Sequence, residues 1–128
     1  MKNFFTFVAL CMVGLLYSFT QPSSLDNVVA AMKTGNASQL AKFFDNNIEI
    51  SLPDKSNSYS KNQGELVLKD FFAVNSVKGF DVIHKGENGG SQFCIGNLIT
   101  KGGSYRTTIY MKQKGNQQVL QELRFENR

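Results

Sequence analysis

The chain predicts an α+β fold: a cone-like curved antiparallel sheet, made of a four-strand meander plus a short strand, wrapped on three N-terminal helices. Three observations predict it. From Gly79 to Glu126 the residues alternate in polarity and are interrupted at Asn88-Gly89, Gly102-Gly103 and Gly115-Asn116, dipeptides that accept the positive φ angles of tight hairpins. The preceding half carries helical spacing behind cap residues. At 128 residues, with 41% hydrophobic and 19% charged residues, the chain has the length and composition of one globular domain.

The first 20 residues are set apart as a signal peptide, leaving 21–128 as the domain. Lys2 precedes an apolar run from Phe4 to Tyr17, followed by Ser18 and Thr20, the basic, apolar, small-residue order of a secretory leader. A bilayer-spanning helix needs roughly 20 apolar residues, so the run is short for a permanent anchor. Export to the periplasm or the exterior is expected, with cleavage after Thr20 or within a few residues of it. Val8-Ala9-Leu10 ahead of Cys11 is not a lipoprotein cleavage box, and no membrane attachment is expected after cleavage. Cys94 alone then remains, so the core is held without an internal disulfide.

In the domain, Leu25, Val28, Val29 and Met32 repeat at helical spacing behind Ser23 or Ser24, and Gly35 closes the helix. Asn36 and Gln39 form a capping box for a second short helix that carries Leu40, Phe43 and Phe44 and ends at Asp45-Asn46-Asn47. Ile48, Ile50 and Leu52 alternate as a short strand stopped by Pro53. Residues 54–60 read as a polar surface loop. Ser60 and Gln63 cap the third helix, with Val67, Phe71 and Val74 on its apolar stripe beside Leu68 and Phe72.

Taking each glycine dipeptide as a two-residue turn sets the register. Phe80 then lies beside Asn97, Thr108 and Leu123. Val82 lies beside Ile95, Tyr110 and Gln121; His84 beside Phe93, Lys112 and Val119; and Ile99 beside Arg106 and Phe125. This face holds more of the large aromatic and branched residues and is expected to be concave, under the helices. Ile83, Leu98, Ile109, Met111 and Leu120 would then lie on the convex face, an apolar patch that implies a partner and is the expected homodimer surface. A three-residue turn at Gly102-Gly103-Ser104 is the alternative that would exchange faces for one strand.

The order helix, helix, short strand, helix and curled meander resembles the nuclear transport factor 2-like superfamily, the cone-shaped fold that includes ketosteroid isomerases. Ser24-Leu25-Asp26 through Met32-Lys33-Thr34-Gly35-Asn36, then Leu40-Ala41-Lys42-Phe43-Phe44 and the strand around Tyr105-Arg106-Thr107, are similar to a family of short secreted proteins of unknown function best represented in the Bacteroidetes. The resemblance implies fold and compartment and supplies no activity.

Function has to come from the site. On the expected concave face Asn97, Thr108, Tyr110 and Gln121 form the one concentrated polar group, a candidate small-ligand site in an apolar cavity, with Arg106 and His84 at its ends. No carboxylate falls on that face, which argues against acid–base catalysis, so no catalytic residue is assigned. A single histidine excludes a two-histidine metal site, and no cofactor motif is present. The net charge of +4 comes from scattered lysines without interleaved aromatics, so no nucleic-acid surface is expected. Three readings follow: a non-enzymatic cone that binds a small apolar ligand or a protein; an isomerase- or dehydratase-like enzyme using Tyr110 with Asp70 or His84; and an assembly module with a filled core.

Overall fold

The computed structural model describes residues 23–128, so the leader lies outside the described residues. Helix α1 spans Ser24–Lys33 and α2 Ala37–Ala41; β1 (Phe44–Leu52) and β2 (Lys55–Ser60) precede α3 (Lys61–Asn75). The meander follows as β3 (Val77–Asn88), β4 (Ser91–Thr100), β5 (Gly103–Lys114) and β6 (Gln117–Asn127). All six strands join one sheet in the order β2-β1-β6-β5-β4-β3. The α+β expectation therefore holds, with two differences. The sheet is mixed, because β1 runs parallel to β6, and residues 55–60, expected as loop, form the edge strand β2 paired antiparallel to β1.

The predicted caps are present. Ser23 Oγ accepts the Asp26 N–H while the Asp26 carboxylate accepts the Ser23 N–H, a reciprocal box that satisfies two donors at the start of α1. Asn36 Oδ1 accepts the Gln39 N–H at 3.1 Å, and Ser60 Oγ accepts the Gln63 N–H at 3.4 Å. Gly35 reverses the chain at φ 62°, and the non-glycine Ser76 ends α3 in the same left-handed region, its N–H donating to Phe72 O. Helix α2 is shorter than expected. Phe44 leaves it to start β1, where it is buried beside Ile48 and Ile50, so burial of the strand outweighs the turn preference of Asp45-Asn46-Asn47. Helix α3 buries Gly64, Leu68, Phe71 and Phe72; Val74, placed on the stripe by spacing, is 75% exposed.

The largest correction concerns the faces of the sheet. Leu98, Ile109, Met111 and Leu120, expected on the convex side, are fully buried beneath the helices together with Cys94, Leu123 and Phe125. Of the five residues assigned to the convex patch only Ile83 is exposed. The polar set at Asn97, Thr108 and Tyr110 consequently lies on the outer face. Two inserted residues account for it, by moving Phe80, Leu123 and Phe125 onto the face of Leu98 and Ile109, whereas a hairpin turn displaced by one position shifts the pairing by two residues and leaves each side chain on its face. The first hairpin turns at Gly89-Gly90, between the paired Asn88 and Ser91, and the second turns at Lys101-Gly102. Irregularities in β3 between Val82 and His84, and in β6 at Gln121, each insert one residue and exchange the faces beyond them. Only the Gly115-Asn116 turn sits where counting placed it.

Aromatic rings pack beneath the sheet. Phe71, Phe72 and Phe125 pack together with ring centroids 4.9–6.2 Å apart, and Tyr105 stands edge-on to Phe71 at 5.4 Å. The Tyr105 hydroxyl donates to Asn75 Oδ1 at 2.8 Å, so this inward tyrosine is satisfied.

Candidate functional site

The outer face is built from cross-strand rows. Glu49, Glu122, Tyr110, Phe93 and Gly86 form one, and Ser51, Arg124, Thr108, Ile95 and His84 the next; Glu126, Arg106, Asn97 and Asp81 form the third. Charge thus gathers over β1 and β6, while β4 contributes the half-buried Phe93, Ile95 and Ile99. The Phe93 ring closes over Gly86, where any side chain would meet it, and the His84 ring centre lies 5.5 Å from it.

Where the two halves meet, a shallow cleft of about 300 Å³ is lined by Asp45, Asn47, Glu49, Ser58, Tyr110, Gln121 and Glu122. Tyr110 Oη and Ser91 Oγ share a hydrogen bond of 2.9 Å. Asp45 receives Lys114 Nζ at 2.8 Å and Gln121 Nε2 at 3.3 Å. The Lys114 hydrogen bond leads, with the Asn46 N–H and Gln121 after it, in holding the Asp45 carboxyl below its ordinary value. Glu122 moves the other way. Burial raises its carboxyl first, Arg124 at 3.4 Å pulls it down, and the facing Glu49 raises it again by hydrogen bond and charge.

Of the six residues singled out by sequence, the fold brings Tyr110 and Gln121 into this one cleft. Thr108 precedes Tyr110 along β5, two positions away on the same face, and Asn97 and Arg106 pair with each other a row further on. His84 sits at the far side, on edge strand β3. Asp70, suggested as a base for Tyr110, lines a different depression between α3 and the β1–β2 turn, so neither proposed base joins Tyr110. Of the carboxylates that do join it, Glu122 escaped sequence reasoning because the Gln121 insertion was not counted, and Asp45 and Glu49 because the pairing of β1 with β6 was not foreseen. Among the described residues no three of His, Cys, Asp and Glu gather closely enough to hold a metal ion.

The family model described as a domain of unknown function, DUF4783, matches residues 25–126. The chain belongs to this family. Its fold is shared by solved DUF4783 proteins from Bacteroides uniformis (27% identity, TM-score 0.79, covering 83% of this chain and 98% of that one) and Bacteroides fragilis (29%, 0.76, 80% and 96%). A nuclear transport factor 2-like protein of unknown function from Cytophaga hutchinsonii is similar in fold at 15% identity (TM-score 0.59, covering 83% of this chain and 90% of that one). The expected family and the cone-shaped α+β class are thus correct. No curated protein matches the chain. DUF4783 membership brings no reaction with it, so the residues of the outer face carry the functional argument.

Proposed function

We propose that this DUF4783 protein is an exported, non-catalytic binding domain that acts through the outer face of its sheet, and that its partner there is a second copy of itself. The observation that carries the reading is the contrast between the faces. The inner one is occupied by Phe71, Phe72, Phe125 and Tyr105, which take the place a small apolar ligand would need. The outer one leaves Phe93, Ile95 and Ile99 half-buried and Tyr110 36% exposed, with Arg106, Glu122 and Arg124 at their margin. An apolar centre with an aromatic anchor and a charged rim is the makeup of a protein interface. A twofold pairing suits it, because the same face offers both acids and bases to its copy. Export is supported by Lys2 and the apolar run to Tyr17.

Light scattering on the chain from Gln21 onward tests the reading. It should report a dimer, and Ile95→Lys should convert it to a monomer with unchanged circular dichroism. A wild-type chain that stays monomeric at sub-millimolar concentration overturns it.

The cleft at Tyr110 supports a second reading, a site for a small polar molecule, since amide, hydroxyl and carboxylate groups converge there beside an exposed ring. Chemical-shift changes confined to Tyr110, Gln121 and Ser58 on adding simple amines or sugars would favour it.

A further inference from the structure

We infer that Glu49 and Glu122 form a proton-operated clasp on the seam between β1 and β6, so that the β1–β2 hairpin docks more tightly as the pH falls. The clasp lies at the margin of the face proposed for self-association and does not depend on a second copy.

The hairpin enters the sheet only through β6. That parallel seam is short, with Phe44, Glu49, Ile50 and Ser51 registered against Leu120, Glu122, Leu123 and Arg124, and its register shifts between Phe44 and Glu49. Glu49 and Glu122 are direct partners in it. Like charges placed opposite one another in a sheet are destabilising, and here one basic group is at hand, Arg124 at 3.4 Å from Glu122. Arg124 is shared, since its other nitrogen lies 4.0 Å from Glu126. The remaining groups that face the pair are few. On β1, Asp45 is engaged by Lys114; β2 presents Ser58 opposite Glu49; and β5 presents Tyr110 opposite Glu122, with the exposed Lys112 two residues on. The helices pack on the other side of the sheet.

With both carboxyls ionised the seam carries a repulsion that the shared Arg124 offsets only in part. When one of them takes up a proton, its O–H donates to the facing carboxylate, and repulsion becomes a charge-assisted hydrogen bond across the seam. Undocking separates the two groups and returns each to water as an ordinary glutamate. The docked hairpin therefore binds the proton more tightly than the undocked one, consistent with the burial and the Glu49 contact that raise Glu122. Acidification favours docking until the undocked carboxyls protonate as well.

Hydrogen exchange of the β1 and β2 amides near about pH 5 and about pH 8, corrected for intrinsic exchange, tests the clasp, because an ordinary glutamate stays mostly ionised at both. The wild type should show severalfold greater protection on the acid side. Glu49→Gln, which places a neutral donor against Glu122, should hold that protection at both pH values, and Glu122→Gln should do the same. An equal pH dependence in wild type and both variants, or carboxyl carbon titrations in which Glu49 and Glu122 each follow an ordinary independent glutamate, would overturn the clasp.

Discussion

Tyr110 faces Glu122 across β5 and β6, although counting back from the Gly115-Asn116 turn sets it against Gln121. Gln121 is the extra residue. Up to Met111 and Leu120 the pairing follows the turn, and beyond them every β6 residue is shifted by one, which sends Leu123 and Phe125 inward and Glu122, Arg124 and Glu126 outward. Deleting Gln121 would remove the insertion and leave Glu122 against Tyr110 and Leu123 against Ile109, so every β6 side chain would keep its face. The deletion should therefore fold, losing the local bend of the bulge and the hydrogen bond to Asp45. Gln121→Ala keeps the insertion and removes only the hydrogen bond to Asp45, so it should cost about 1 kcal/mol in denaturant unfolding.

The two glycines that carry aromatic lids should respond unequally. A methyl at Gly96 would stand 2.5 Å from the Asp81 carbonyl oxygen, a backbone atom, and as close to the buried Phe80 ring. Gly96→Ala should therefore destabilise by about 1–3 kcal/mol, as overpacking of a filled core does. At Gly86 the obstacle is the Phe93 ring, half-buried on a face that no helix covers, and that ring has room to swing outward. Gly86→Ala should cost less than Gly96→Ala, which thermal unfolding of the pair can rank. It should also raise the exposure of Phe93.

Phe125 is the centre of the filled core, 1% exposed and in contact with both Phe71 and Phe72. Phe125→Ala should cost about 3–5 kcal/mol, because the rigid rings around it collapse only partly into the space left. If the centre of the cone were already loose or wet, the loss would be near the bottom of that range. Denaturant midpoints at unchanged slope measure it.

How much of this was legible in the sequence depended on whether the signal was local. The caps at Ser23, Asn36 and Ser60 each rest on a side chain three residues from its partner, and all three N-cap hydrogen bonds form, although among the described residues the reciprocal bond of a capping box is made at Ser23 and not at the boxes expected at Asn36 and Ser60. The meander was equally plain, because glycine pairs mark turns whatever surrounds them. The inner and outer faces were not, since their assignment multiplies the turns by every inserted residue. Two one-residue irregularities, at Ile83 and Gln121, have no local sequence mark. Edge strand β2 was missed for a related reason: Lys55-Ser56-Asn57-Ser58 has turn composition and becomes a strand only because β1 offers it a ladder. The candidate site was half legible. Tyr110 and Gln121 do meet, but on the outer face, and of the acids that join them Glu122 reads onto the opposite face, Asp45 into a turn and Glu49 onto a short strand with no neighbour assigned.

Two long-range ion pairs set the acid limit of the fold. Lys85 on β3 holds Asp26 at the start of α1 at 2.9 Å, and Lys114 on β5 holds Asp45 on β1 at 2.8 Å. The lysine hydrogen bond is the leading cause that lowers each aspartate from its ordinary value of 3.8. A carboxyl lowered on folding lends stability that is fully present above its unfolded value and is lost as the pH falls through the folded one. Glu122, raised by burial, has the opposite sign: its ionised form is disfavoured in the fold, so acidification first relieves a cost. Stability should accordingly rise modestly from alkaline to mildly acidic pH and then fall below the ordinary aspartate range. Asp45→Asn should flatten part of the acid limb, whereas Glu122→Gln should remove the rise and leave that limb in place. Asp26 is about half exposed, so Asp26→Asn should act mainly at low salt. Thermal unfolding across the pH range in low and high salt separates the three variants, and an acid limb unchanged in Asp45→Asn would remove that ion pair from the account.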